Sequence, residues 1–196
     1  MQVQGDTWKD QKRGKNMVYL FMADGFEEVE GLTVVDILRR AGVEIQTVSI
    51  MGRKNVISSH QVEIVADQLL EEISDDAEML ILPGGIPGTP NLKAHKGLDA
   101  LIRKSAAEGV YLAAICAAPT VYGEKGLLQG KKATCYPGME DELTGAMVSY
   151  EKVVVDGKFI TSRGLGTAID FGLKLAEILK GKDIADSIAE KIVYQQ

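Results

Sequence analysis

Apolar positions along this chain form two kinds of run, and the two alternate. Val18 to Met22, Glu44 to Ile50, Met79 to Leu82 and Val110 to Ile115 are short stretches with few polar interruptions, the signature of strands buried on both faces. Val34, Ile37, Leu38 and Ala41 instead recur at helical spacing, and Gly42 supplies the residue that ends such a helix. Leu98, Leu101 and Ile102 mark one face of another helix, and further helices are expected near Thr167 to Lys180 and Asp183 to Tyr194. Val56-Ile57 and Val62-Glu63-Ile64 predict a hairpin around His60, and Val153 to Ile160 predict one about Asp156-Gly157. Thr167, with Asp170 three positions on, reads as a helix N-cap.

Strands separated by amphipathic helices imply an α/β fold, with a mostly parallel sheet covered on both faces, because each crossover lays a helix on the sheet. In such sheets the ligand site lies beyond the carboxyl ends of the strands, where connections diverge. Glu30, Gly85 and Cys116 each follow soon after an apolar strand run, so three groups from three segments are expected at one edge.

Composition narrows the function. The 196 residues are 45% hydrophobic and 26% charged, which suits one globular domain. Residues 1–16 are mostly polar and read as a loose tail, with Met17 opening a single domain over 17–196. Twenty-two basic against 28 acidic residues give a net charge of −6 without a basic cluster, so neither nucleic acid nor an anionic membrane is an expected partner. No apolar run approaches a membrane span and no signal-peptide pattern opens the chain, so the expected compartment is the cytoplasm. Cys116 and Cys135 are too few for a disulfide scaffold and are expected to be reduced.

Chemistry concentrates at Cys116, where an apolar strand gives way to Ala117-Ala118-Pro119. A thiol at a strand-to-helix turn faces unpaired amides, which favour the thiolate and can hold an oxyanion beside it; the alternative is a small buried hydrophobe. Pro83-Gly84-Gly85-Ile86-Pro87-Gly88 lacks the lysine and hydroxyl of a phosphate-binding loop, so nucleotide binding is not expected there. Its glycines serve a tight turn, or bring an amide close to a reacting atom. His60 and His95 are the only histidines, which leaves little for a metal centre, and no histidine follows Cys116 to act as its base. The proton carrier must come from elsewhere, and Glu27, Glu28 and Glu30 gather after the first strand.

Ala23-Asp24-Gly25-Phe26-Glu27-Glu28-Val29-Glu30, Leu82-Pro83-Gly84-Gly85, Ala113-Ala114-Ile115-Cys116-Ala117-Ala118-Pro119 and Thr161-Ser162-Arg163-Gly164-Leu165-Gly166-Thr167 together resemble the ThiJ/PfpI superfamily, in its DJ-one branch. That branch holds the Parkinson-disease-associated protein deglycase and its bacterial relatives. The resemblance implies a flavodoxin-like three-layer sandwich and a homodimer. It makes Cys116 the nucleophile, Glu30 its hydrogen-bonding proton carrier, and the amides of Gly85 and Ala117 the oxyanion pocket. The implied activity is cofactor-independent and directed at reactive dicarbonyls or early glycation adducts, of the glyoxalase or deglycase kind. A redox-responsive stress protein or holding chaperone that senses oxidation at Cys116 is the alternative, and a peptidase the weaker one. Two departures from the family pattern stand out. Tyr136 occupies a position where several relatives have His, and a phenol is a poor proton shuttle at neutral pH. His60 matches a position that is Arg in some relatives, near the partner subunit's site; its plain reading is a polar hairpin residue.

Overall fold

In β1 (Met17–Met22), every residue is apolar, and alternate side chains fill opposite faces of the sheet. The computed structural model describes residues 17–74 and 77–194; the expected tail at 1–16 lies outside them. After β1 come α1 (Glu28–Arg40), β2 (Ile45–Ser49), β3 (Asn55–Ile57), β4 (Glu63–Val65), β5 (Gln68–Leu69) and β6 (Ala77–Leu82). The chain continues through α2 (Gly88–Ala94), α3 (Lys96–Ala107), β7 (Tyr111–Ile115), α4 (Pro119–Glu124), β8 (Lys132–Ala133) and β9 (Met147–Val148). It closes with β10 (Val153–Asp156), β11 (Phe159–Ser162), α5 (Ala168–Lys180) and α6 (Lys182–Lys191).

Seven strands form the central sheet in the order β10-β11-β7-β6-β1-β2-β5. All neighbours are parallel except β10 and β11, the hairpin expected from Asp156-Gly157. The hairpin around His60 forms as β3 and β4, outside the central sheet. Val18, Leu20 and Met22 pack with Val34, Ile37 and Leu38 of α1, Phe171 and Leu175 of α5, and Ile188 of α6. Tyr19 and Phe21, one step out of phase, pack on the other face with Leu92 of α2, Leu98 and Ile102 of α3, and Val121 of α4. The result is a flavodoxin-like α/β sandwich. Each large side chain so buried contributes about 1.5–3 kcal/mol. Among the described residues no helix is long and apolar enough to cross a membrane.

One expectation changes. Thr167 does stand before α5, but its side chain makes no cap bond to that helix. Its hydroxyl lies 2.7 Å from that of Ser162 and closes on the backbone of Gly164, with Oγ1 accepting from the amide at 3.2 Å and donating to the carbonyl at 2.9 Å. Asp170 accepts instead from the Tyr194 hydroxyl at 2.7 Å. Between 119 and 150 the pattern gave no elements, because α4 has six residues and β8 and β9 two each, too short to show a period. Both cysteines are free. Cys116 packs at the α1 and α5 face, whereas Cys135 belongs to the opposite core.

Candidate functional site

The chain leaves β1 toward β2 on one side and later reaches β6 on the other, so the β1/β6 boundary is the point where connections diverge. Two loops meet there. Glu27 donates its amide to the Gly84 carbonyl at 2.9 Å, and Gly88 donates to the Gly25 carbonyl at 3.1 Å. Gly85 takes φ 93°, and a side chain there would run into Gly25, Phe26 and Glu27. Only glycine lets the 83–88 turn dock this closely on the loop that opens α1. Glu27 caps that helix, its carboxylate accepting from the Val29 amide at 3.4 Å. Glu30, in the first turn, is thereby carried inward to 1% exposure.

Cys116 follows β7 with φ 65°, a left-handed conformation that costs a side-chain-bearing residue about 1–3 kcal/mol. Flanking bonds hold it: its amide donates to the Ser162 carbonyl at 3.0 Å, and its carbonyl accepts from Tyr136 at 2.7 Å. The kink turns the thiol off the strand toward Glu30, with which it hydrogen-bonds. Gly84 forms the floor. Its amide donates to Glu30 Oε2 at 3.0 Å, and a methyl group on it would lie 2.5 Å from Cys116 Cβ and 2.6 Å from Glu30 Oε2.

Burial governs the electrostatics of this pair. Loss of water pushes the Glu30 carboxyl from 4.5 up to about 7; hydrogen bonds from Cys116 and the Gly84 amide oppose the rise, and the charge of Glu27 adds to it. The Cys116 thiol is pushed up to about 12, first by burial and then by the charge and hydrogen bond of Glu30, against the amides of Gly85 and Ala117. Both groups are raised, chiefly by burial, and the charge of one opposes ionisation of the other, so they titrate as a coupled pair in which Glu30 is within reach to take the thiol proton and return it.

The structure thus brings together Cys116, Glu30 and the Gly85 and Ala117 amides. Tyr136 borders the same group, its ring carbon 3.5 Å and Glu30 Oε1 3.9 Å from where a methyl on Gly164 would stand. His60 goes elsewhere, with Nδ1 3.1 Å from Glu28 Oε1 and 3.6 Å from Glu27 Oε2. His95 caps α3, accepting from the Leu98 amide at 3.1 Å. Neither histidine serves the thiol within this chain. Glu27, Glu28 and His60 form the one grouping of three metal-capable side chains found among the described residues. Hydrogen bonds with one another and with Ser59 already occupy them.

Gly84 and Gly164 are the functional positions that sequence reasoning left without a role. Gly84 shows its role only in the structure: of the two consecutive glycines Gly85 alone takes a positive φ, while a methyl on Gly84 would meet Cys116 and Glu30.

The chain matches the model of the DJ-1/PfpI family over residues 16–178. It is 39% identical over 181 residues to Protein DJ-1 homolog B of Arabidopsis thaliana, which covers 91% of this chain but 41% of that protein. The chain therefore spans less than half the length of that relative. It is 29% identical over 181 residues to a Caenorhabditis elegans protein named glutathione-independent glyoxalase DJR-1.2, covering 91% of this chain and 96% of that one. The solved structure of oxidized Toxoplasma gondii DJ-1 superposes with a TM-score of 0.88 at 36% identity, covering 92% of this chain and 99% of that one.

Proposed function

The chain belongs to the DJ-1/PfpI family, and on that premise we propose that it is a cysteine-dependent, cofactor-independent enzyme that acts on reactive dicarbonyls or early glycation adducts. The observation that carries this reading is the Cys116–Glu30 pair, brought together over Gly84 with the carboxyl buried, the thiol partly exposed and two main-chain donors facing it. In the first step the Cys116 sulfur bonds to the aldehyde carbon, the carbonyl π pair moves onto oxygen, and the thiol proton passes to Glu30. The amides of Gly85 and Ala117 hold the developing oxyanion until Glu30 returns the proton, giving a neutral hemithioacetal. Glu30 then takes the proton from the sulfur-bearing carbon and returns it to the neighbouring carbonyl carbon through an enediol. The product is the thioester of a 2-hydroxy acid. Water cleaves that thioester and restores the thiol, so one dicarbonyl and one water become one hydroxy acid.

The glyoxalase name of the Caenorhabditis elegans relative supports the substrate class. The reading extends to a cytoplasmic homodimer, supported by two cysteines on opposite cores and by Val29 and Leu32 left exposed on α1. The test is methylglyoxal consumption with lactate formation, compared with Cys116→Ala. Turnover above that control is expected; its absence in protein free of contaminating glyoxalase overturns the proposal.

A redox-sensing role is favoured by one observation: Cys116 is partly exposed and Cys135 only 1% so. Mass spectrometry after mild peroxide then finds oxygen on Cys116, and preferential oxidation of Cys135 defeats that reading.

A further inference from the structure

Three loops meet around Cys116 and Glu30, and each carries a large apolar side chain more than half exposed. These are Ile86 (61%), directly after Gly85; Tyr136 (51%); and Leu165 (51%), directly after Gly164. Tyr136 is the best placed of the three. A single point above Gly164 lies 3.5 Å from its ring and 3.9 Å from Glu30 Oε1, so a substrate whose protons Glu30 moves lies alongside the phenol. Its backbone is held on both sides: the amide donates to the Cys116 carbonyl at 2.7 Å, and the carbonyl accepts from the Met139 amide at 3.1 Å and from the Cys135 thiol at 3.5 Å. Tyr136 is thereby tethered to the Cys116 backbone with half of its surface exposed, and the bond to the Cys116 carbonyl survives a change of side chain. Arg163, beside this wall, is turned to Tyr150, with its guanidinium 5.6 Å from that ring's centroid and Nη1 3.5 Å from the Tyr150 carbonyl.

We propose that Tyr136 is a specificity-determining wall of this site and selects 2-oxoaldehydes whose second substituent is aromatic or bulky and apolar over small ones such as methylglyoxal. The inference rests on the aldehyde-directed reading of Cys116. Stacking a substituent on an open aromatic face, added to the area it buries, favours the larger compound by roughly tenfold.

The test separates the wall from the chemistry. Labelling rates of Cys116 by phenacyl bromide and by bromoacetone are measured by intact mass and divided by the rates for N-acetylcysteine. The corrected ratio is expected to favour the phenyl reagent by roughly tenfold in the parent and in Tyr136→Phe, and to fall near one in Tyr136→Ala. Circular dichroism and urea unfolding of Tyr136→Ala that match the parent verify that the variant keeps its fold. A corrected ratio near one in the parent, or one undiminished in Tyr136→Ala, overturns the inference. Turnover of phenylglyoxal and methylglyoxal is then compared across the same proteins, with the same ranking expected in kcat/KM. Lack of turnover of either compound defeats the enzyme reading, while the labelling ratio still decides the role of Tyr136.

Discussion

Replacing Glu30 by Gln should make the protein more stable above neutrality while disabling its site. Burial is the chief cause that lifts the Glu30 carboxyl from 4.5 to about 7, so between those values the folded protein holds a proton that the unfolded chain has released. Unfolding free energy therefore falls as pH rises through that window: the contribution is fully present below 4.5 and gone above 7. At 1.36 kcal/mol per pKa unit, the cost of ionising Glu30 in place comes to about 3 kcal/mol, a large share of a typical domain's 5–15 kcal/mol. Gln has nearly the same shape, can still accept from the Gly84 amide, and never ionises. Glu30→Gln should thus gain about 2–3 kcal/mol over the parent at pH 8 and almost nothing at pH 4.5. For a chain of this length the gain corresponds to a rise in Tm of roughly 5–10 °C. Urea unfolding followed by circular dichroism under reducing conditions at the two pH values measures it. A Gln variant no more stable than the parent at pH 8, or an equal gain at both pH values, would refute the argument that this carboxyl is strained by burial.

Three further outcomes are expected. Alkylation of Cys116 by iodoacetamide should rise about tenfold per pH unit below 7 and level off above it, as Glu30 becomes an ionised base; the inflection should vanish in Glu30→Gln, and a parent profile without it would contradict the pairing. Gly84→Ala places a methyl 2.5 Å from Cys116 Cβ and 2.6 Å from Glu30 Oε2, which should cost about 1–3 kcal/mol in denaturant unfolding and flatten the same profile. Thr161→Val removes the hydroxyl that accepts from the buried Thr134 amide at 3.0 Å, and should cost about 1–3 kcal/mol with no change in the alkylation profile.

The succession of strands and helices was legible in the residues themselves, because a strand buried on both faces must be apolar throughout and a covering helix apolar on one side. That pattern fixed the α/β class, both hairpins and the end of α1 at Gly42, where φ is 69°. It also singled out Glu30, Gly85 and Cys116 as residues at strand ends. The segments from 119 to 150 stayed silent because their elements are shorter than the period that would reveal them. Thr167 misled because its hydroxyl closes back on Gly164 in the loop that follows β11, a turn that competes with the cap of the next helix. The protonation of the pair belonged wholly to the tertiary structure. Sequence placed a thiol beside helix-start amides, which lower its pKa, but how much water is lost and which neighbour carries the charge depend on segments more than 80 residues apart closing over Gly84. In the folded molecule burial raises both groups against the pull of the local amides, so their titration is a property of the closed pair and not of either segment alone.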